Sequence, residues 1–356
     1  MGKSIFTGDR RTALRWMSCA MATLLPGGPL RANEAGAITG LPFVDPELRD
    51  AARQIIAMTS GFYPMGVAKL PMLRGAIATA SPPERPAVPI RTAIVPVGGG
   101  MGEVKVYVLN ERAGAAPRPA ILHTHGGGFI TGSALLEMPG LIELAQELDC
   151  IIASVEYSLA PEATWRVSME QNYAGLLWLH TQAAALGVDR ARIAVAGESA
   201  GGGHAALLAQ TARNRGQVPL AFQCLIYPML DDRTGSTWQP APGLGCIGWD
   251  ADANRYGWRA FLGQAAGGTG VPSRAVPARA VSLAGLPPAF IGTGSIDLFA
   301  REDIAYAQRL TAEGVPTQLL VLPGAFHGFD KVMPKAWVSR QLFAARLAAY
   351  RRAFDL

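Results

Sequence analysis

Ser199 lies in Gly197-Glu198-Ser199-Ala200-Gly201, a G-x-S-x-G pattern. The apolar run Ile193–Ala196 precedes it, and a stretch of helical composition, Ala200–Arg213, follows directly. A serine hydroxyl is a weak nucleophile, so it needs a base to take its proton and an acid to orient that base. The strand-to-helix context gives the motif its meaning. A sharp turn holds the serine exposed in strained geometry, and small residues at 197 and 201 let the two backbones approach. The helix N-terminus then aims its free amides at the place where negative charge develops. Taken alone, the pattern also fits an ordinary structural strand–helix turn.

Its partners decide the matter. A second apolar run, Ala120–His123 with Thr124, leads into His125-Gly126-Gly127-Gly128-Phe129. Three glycines let backbone amides turn inward without obstruction. Gly126 and Gly127, with Ala200 after the serine, are the candidate donors for a tetrahedral oxyanion. Losing one such donor costs about 3–4 kcal/mol of transition-state stabilisation. A phosphate cradle would need a Lys-Ser/Thr pair and a helix directly after the glycines, and both are missing. In folds built on this elbow the acid follows the serine and the base comes last. The histidines are His123, His125, His180, His204 and His327, and only His327 lies beyond the elbow helix. It sits in a loop after the run Gln318–Leu322. Asp297, after the run Ala289–Thr293, is the candidate acid. Its rivals Glu302 and Asp303 fall inside the next helix, where solvation at the surface is the expectation. His125 reads as a residue bracing its loop, and His204 as a packed or partly exposed helix residue.

These residues require a scaffold. Arg91–Val97 and Val104–Leu109 are rich in β-branched residues and flank a glycine-rich turn, which predicts an antiparallel pair. Further short apolar runs, Ala120–His123, Ile151–Val155, Ile193–Ala196, Phe222–Tyr227, Ala289–Thr293 and Gln318–Leu322, alternate with helical stretches. The helices are predicted over Leu135–Leu148, Val167–Leu186, Ala200–Arg213, Arg301–Glu313 and Trp337–Phe354. That rhythm predicts an α/β fold: a mainly parallel sheet with helices on both faces. Residues 38–90 read as short helices and loops, with helical spacing over Leu48–Met58. Residues 231–280 form an insertion rich in Gly, Pro and Trp, with a helical piece at Asn254–Leu262. The two together are the candidate cap over the C-terminal edge of the sheet, where ligands bind in open α/β sheets. Trp238, Trp249, Tyr256, Trp258, Phe261, Phe129 and Phe62 either line an apolar acyl pocket there or pack cap against core.

Composition narrows the function classes. With 49% hydrophobic and 17% charged residues, the 356-residue chain has material for a large core, which excludes a disordered chain. Net charge is +5, but residues 1–37 hold five basic residues against two acidic ones, so the remainder carries only +2. No basic stripe with interleaved aromatics remains, which argues against nucleic acid. Cys19, Cys150, Cys224 and Cys246 show no metal-ligand spacing, and Cys150 and Cys224 fall in apolar runs as buried thiols. No metal or organic cofactor is implied. Residues 1–37 resemble a twin-arginine export signal: Arg10-Arg11, an apolar run Trp16–Leu25 too short to span a bilayer, and the cleavage pattern Ala35-Gly36-Ala37. This implies a periplasmic or secreted protein. The other reading is an N-terminal arm of a cytoplasmic enzyme.

Together the motifs resemble the bacterial hormone-sensitive-lipase-like carboxylesterases of the α/β-hydrolase fold. The match rests on His125–Gly128, Gly197–Gly202, Asp297, His327-Gly328-Phe329 and Glu156-Tyr157-Ser158-Leu159-Ala160-Pro161-Glu162. Ser158 stands where that family usually has Arg, which implies a missing salt bridge, and Glu198 stands where Asp is commoner. The resemblance, over about residues 90–350, implies an eight-stranded sheet and a helical cap in a catalytic domain of residues 38–356, and hydrolysis of small short- to medium-chain acyl esters by Ser199, Asp297 and His327. Lactone or amide hydrolysis on the same residues is the alternative, and a non-catalytic binding protein a more distant one. Members of that family often form homodimers; the sequence does not decide it.

Overall fold

The computed structural model describes residues 39–59, 61, 64–112 and 116–356. The leader-like segment 1–37, with Cys19, and Phe62 lie outside the described residues. Eight strands form one sheet: β1 Ile90–Pro96, β2 Glu103–Leu109, β3 Arg118–Thr124, β4 Ile151–Glu156, β5 Val188–Glu198, β6 Phe222–Ile226, β7 Ala289–Gly294 and β8 Thr317–Leu322. Their order is β1-β2-β4-β3-β5-β6-β7-β8. β2 pairs antiparallel with β1 and with β4. From β4 to β8 every pairing is parallel.

The central strands explain this arrangement. All of β3 is buried, and β5 is buried from Ile193 onward, because helices cover both faces. Strands buried twice read as unbroken apolar runs. Alternate side chains feed separate cores: Val106, Val108 and Val195 point to one, and Tyr107, Leu109, Ala194 and Ala196 to the other. Helices α3 Trp165–Thr181, α4 Ala200–Arg215 and α6 Ala300–Ala312 close the first face. Helices α1 Arg49–Thr59, α2 Met138–Leu148 and α7 Trp337–Phe354 close the second. The stretch predicted as one helix over 167–186 breaks at Gln182, and a separate turn, Ala183–Leu186, ends on Gly187 in the left-handed conformation.

The 231–280 insertion contains helix α5 Ala251–Leu262. It starts a turn earlier than the apolar pattern suggests because the Asp250 carboxylate accepts the Ala253 amide at 2.9 Å, an N-cap. This insertion meets the N-terminal segment directly. The Met65 amide donates to Asp252 Oδ2 at 2.8 Å, and Gly40 packs so closely on Gly243 that a Cβ there would lie 2.4 Å from the Gly243 carbonyl. Among the described residues no helix is long and apolar enough to cross a membrane.

Candidate active site

Ser199 occupies the tight turn between β5 and α4 with φ +57° and ψ −124°, a conformation that costs a non-glycine residue about 1–3 kcal/mol. Its surroundings enforce it. The Ser199 amide donates to the Ile226 carbonyl at 2.9 Å, and its own carbonyl accepts from Met229 and Gly203 at 2.9 and 3.0 Å. The two motif glycines are needed for close approach: a Cβ on Gly197 would lie 2.4 Å from Gly201, and one on Gly201 2.0 Å from the Thr124 carbonyl.

The loops after β7 and β8 bring the other two side chains to it. His327 Nε2 lies 2.9 Å from Ser199 Oγ, and His327 Nδ1 lies 2.9 Å from Asp297 Oδ2. The other Asp297 oxygen accepts the Phe299 amide at 2.9 Å. The carboxylate side chain is fully buried and the imidazole is 11% exposed. An acceptor-only carboxylate at Nδ1 places the hydrogen there, which leaves Nε2 free to take the serine proton. The imidazole is held edge-on by Tyr227 and Phe299, at ring-centroid distances of 4.8 and 5.1 Å. Sequence reasoning missed these two. Their signal was position: Tyr227 follows the strand next to the elbow strand, and Phe299 is two residues past Asp297.

Gly126 abuts the serine, since a Cβ there would lie 3.5 Å from Ser199 Cβ. Among the described residues, no backbone hydrogen bond uses the amides of Gly126, Gly127 or Ala200. His125 orients this loop. Its Nδ1 is 2.9 Å from the Gly126 carbonyl, an acceptor, so Nδ1 carries the hydrogen. Pinning that carbonyl turns the amide of the same peptide, on Gly127, the opposite way. His125 stacks on Tyr157 with centroids 4.0 Å apart, and burial pushes its pKa down to about 3, so it stays neutral. Loop-bracing is therefore what its contacts describe.

The 156–162 segment supports the same loop. Tyr157 donates its hydroxyl to the His125 carbonyl at 2.6 Å, and the Ala160 amide donates to the Phe129 carbonyl at 2.9 Å. Glu156 Oε2 accepts from Ser133 Oγ and the Ala134 amide at 3.0 and 2.9 Å. Gly127 has φ +122°, and a Cβ there would lie 2.1 Å from the Thr131 carbonyl. Gly127→Ala must therefore shift the loop, and the expected result is a kcat lower by about 10²–10³-fold with KM little changed. Steady-state kinetics on the purified variant checks it.

One expectation needs correction. Glu302 and Asp303 are not solvated at the surface; they are 5% and 0% exposed. The Glu302 carboxyl accepts the Leu230 and Asp231 amides, at 2.6 and 3.1 Å, and the Thr234 hydroxyl, so it braces the start of the insertion. Burial pushes both carboxyls well above the usual range, with Glu302 and Asp297 adding to the rise on Asp303. Of the two readings of the aromatic residues, packing describes several. Trp258 and Phe261 are fully buried against Phe129, as core packing. Trp238 lies under the Arg301 guanidinium. Trp249 reaches the site, its ring filling the space a Cβ on Gly128 would take, and neighbouring Gly248 packs on the His327 carbonyl.

Beneath the elbow, Glu198 Oε2 lies 3.0 Å from His123 Nε2, whose Nδ1 is 2.9 Å from Ser154 Oγ. Burial alone would raise the Glu198 carboxyl. His123, Lys331 and Arg346 outweigh burial and hold it well below the usual carboxylate range. His204 is fully buried, with Nδ1 3.3 Å from Met169 Sδ, and burial lowers its pKa to about 3. Cys150 and Cys224 are buried free thiols, pushed up to about 12 by burial.

Against known proteins, residues 121–331 match a family described as alpha/beta hydrolase fold. The chain is 36% identical over 244 residues to carboxylesterase NlhH of Mycobacterium tuberculosis, which covers 66% of this chain and 74% of the relative. It is 32% identical over 235 residues to an ethyl acetate hydrolase of Pseudomonas putida, covering 64% and 71%. A solved structure described as a bacterial heroin esterase superposes with a TM-score of 0.75 at 36% identity, covering 88% of this chain and 99% of that one.

Proposed function

The chain belongs to the α/β-hydrolase fold family, in its hormone-sensitive-lipase-like carboxylesterase branch, and we propose that Ser199, His327 and Asp297 hydrolyse short- to medium-chain carboxylic esters through an acyl-enzyme. The protein is a carboxylic ester hydrolase. The observation that carries the residue assignment is the unbroken chain of contacts, 2.9 Å at each step, from Ser199 Oγ through the imidazole to Asp297.

The steps follow from the geometry. His327 Nε2 takes the Ser199 proton as Oγ attacks the ester carbonyl. The carbonyl oxygen becomes an oxyanion and is received by the amides of Gly126, Gly127 and Ala200, which need no reorganisation at that moment. Asp297 stabilises the imidazolium without taking its proton. His327 then protonates the leaving alcohol, and water repeats the sequence on the acyl-enzyme.

The same reading makes residues 38–90 and 231–280 the cap over the site. It makes residues 1–37 an export signal for a periplasmic or secreted enzyme. Trp249, seated on the oxyanion loop, supports a small acyl group, as does the resemblance to an ethyl acetate hydrolase. The test is kcat/KM over p-nitrophenyl esters from acetate to palmitate, with a matched lactone and anilide. The expected maximum falls between about two and eight carbons, where Trp249 beside the oxyanion loop favours a small acyl group, with the lactone and anilide far slower. A maximum at palmitate, or faster lactone or amide cleavage, would contradict it.

A further inference from the structure

The oxyanion loop runs through left-handed backbone that glycine adopts freely, with one non-glycine residue, Phe129, held there at a cost. Gly127, Gly128, Phe129 and Gly132 have φ of +122°, +58°, +66° and +88°, and Phe129 is not a glycine. Such a loop keeps one shape only where its surroundings over-determine it. One side chain from outside the hydrolase core does much of this. Arg74 follows the short helix Leu70–Leu73 in the N-terminal segment. Its Nε donates to the Ile130 carbonyl at 2.7 Å. Its Nη2 donates to the Ala160 carbonyl at 2.7 Å and to Glu162 Oε2 at 2.9 Å, and its Nη1 donates to Glu162 Oε1 at 2.8 Å. Beside it, Thr131 Oγ1 donates to the Leu73 carbonyl at 3.2 Å.

One guanidinium therefore serves four acceptors on two loops, and the loops themselves meet through the Ala160 amide and the Phe129 carbonyl. The planar fork gives this clamp a fixed geometry that a lysine ammonium does not reproduce. The arrangement also accounts for Ser158. The expected gap at that position is closed locally by Gln171, whose Nε2 donates to Ser158 Oγ at 2.8 Å and whose Oε1 accepts the Ser158 amide at 2.7 Å. The cation of this segment comes instead from Arg74, which holds the Glu162 carboxyl below its usual range.

We propose that Arg74 is a positioning residue for ester hydrolysis: it reaches from the N-terminal segment to lock the oxyanion loop onto the 158–162 loop, so that the Gly126 and Gly127 amides are aimed before the oxyanion forms. This rests on the oxyanion assignment above. It makes docking of the N-terminal segment a condition for a competent site, and it separates two kinds of energy. Loss of the clamp misaims donors used in the transition state, and leaves ground-state binding of the ester largely alone.

The test compares wild type, Arg74→Ala and Arg74→Lys by kcat, KM and affinity for an alkylboronic acid, which forms a tetrahedral adduct on the serine. A ketone isostere of the ester that does not form an adduct serves as ground-state ligand. Arg74→Ala is expected to lower kcat and boronate affinity together by about 10- to 100-fold, the scale of a misplacement near 1 Å, with KM and ketone affinity within about threefold. Millimolar methylguanidinium is expected to restore part of the kcat, and Arg74→Lys to fall between the two. Unchanged kcat and boronate affinity, or a loss confined to KM and ketone binding, would overturn the proposal. Should Arg74→Ala fail to fold, Arg74→Lys decides by the same readouts. Ser199→Ala run in parallel keeps the two levels apart: activity there would remove the underlying assignment, whereas a dead Ser199→Ala with unaffected Arg74 variants would remove only this inference.

Discussion

Ser199→Ala is expected to give a folded protein that binds ester but turns it over about a millionfold more slowly, a loss of roughly 8 kcal/mol in barrier height. The size follows from the absence of an alternative. Without Oγ, the protein supplies no nucleophile beside His327 Nε2 and no acyl-enzyme forms. The residual rate is what water gains from the oxyanion amides and from binding. The backbone at 199 is tied by three main-chain hydrogen bonds that a methyl side chain does not disturb. Circular dichroism and thermal unfolding should therefore match wild type, and kcat on a p-nitrophenyl ester should collapse. Activity above about one per cent of wild type in a preparation free of contaminating esterases would contradict the assignment.

Asp297→Asn is expected to cost about 10⁴-fold in kcat with KM little changed. The local geometry dictates the direction. Asp297 Oδ1 receives the Phe299 amide, a donor that requires an acceptor. Asparagine satisfies it with its carbonyl oxygen, which turns the NH2 group toward His327 Nδ1. The imidazole must then accept at Nδ1 and carry its hydrogen at Nε2, facing the serine hydroxyl whose proton it is meant to take. The base is present in the wrong tautomer. Buried Asp303 offers no substitute, since burial and its two acidic neighbours push its carboxyl up and disfavour a charge there. Stopped-flow measurement of acylation isolates the effect, and a loss smaller than about tenfold would show that Asp297 does not govern the tautomer.

How much of this was legible in the sequence depended on how local the signal was. The sheet was legible because strands buried on both faces carry unbroken apolar runs, and β3 and β7 announce themselves that way. The first residues of β5 were not, because Val188–Arg192 holds exposed polar positions outside the core. The elbow, the glycine loop and the order Ser199, Asp297, His327 were legible because backbone geometry demands particular residue types at fixed spacing. What the sequence concealed depends on contacts across long separations. Arg74 meets Glu162 across 88 positions, and Glu302 meets Leu230 across 72. Neither pairing leaves a periodic trace. Glu302 and Asp303 look like solvated helix residues because helix composition does not report that the insertion folds back over that turn. The aromatic residues of the insertion left two readings open for a related reason, as lining a pocket and packing a core call for the same side chains.

Catalysis is assigned to one oxygen atom, Ser199 Oγ, and covalent capture reports on that atom. The enzyme is treated with a fluorophosphonate until activity is lost, then digested and sequenced by mass spectrometry. The expected result is a single phosphonylated residue, Ser199, with one label per inactivated chain and no labelling after His327→Ala. Label on another residue in step with inactivation, or an active preparation that the reagent leaves unmodified, would contradict it.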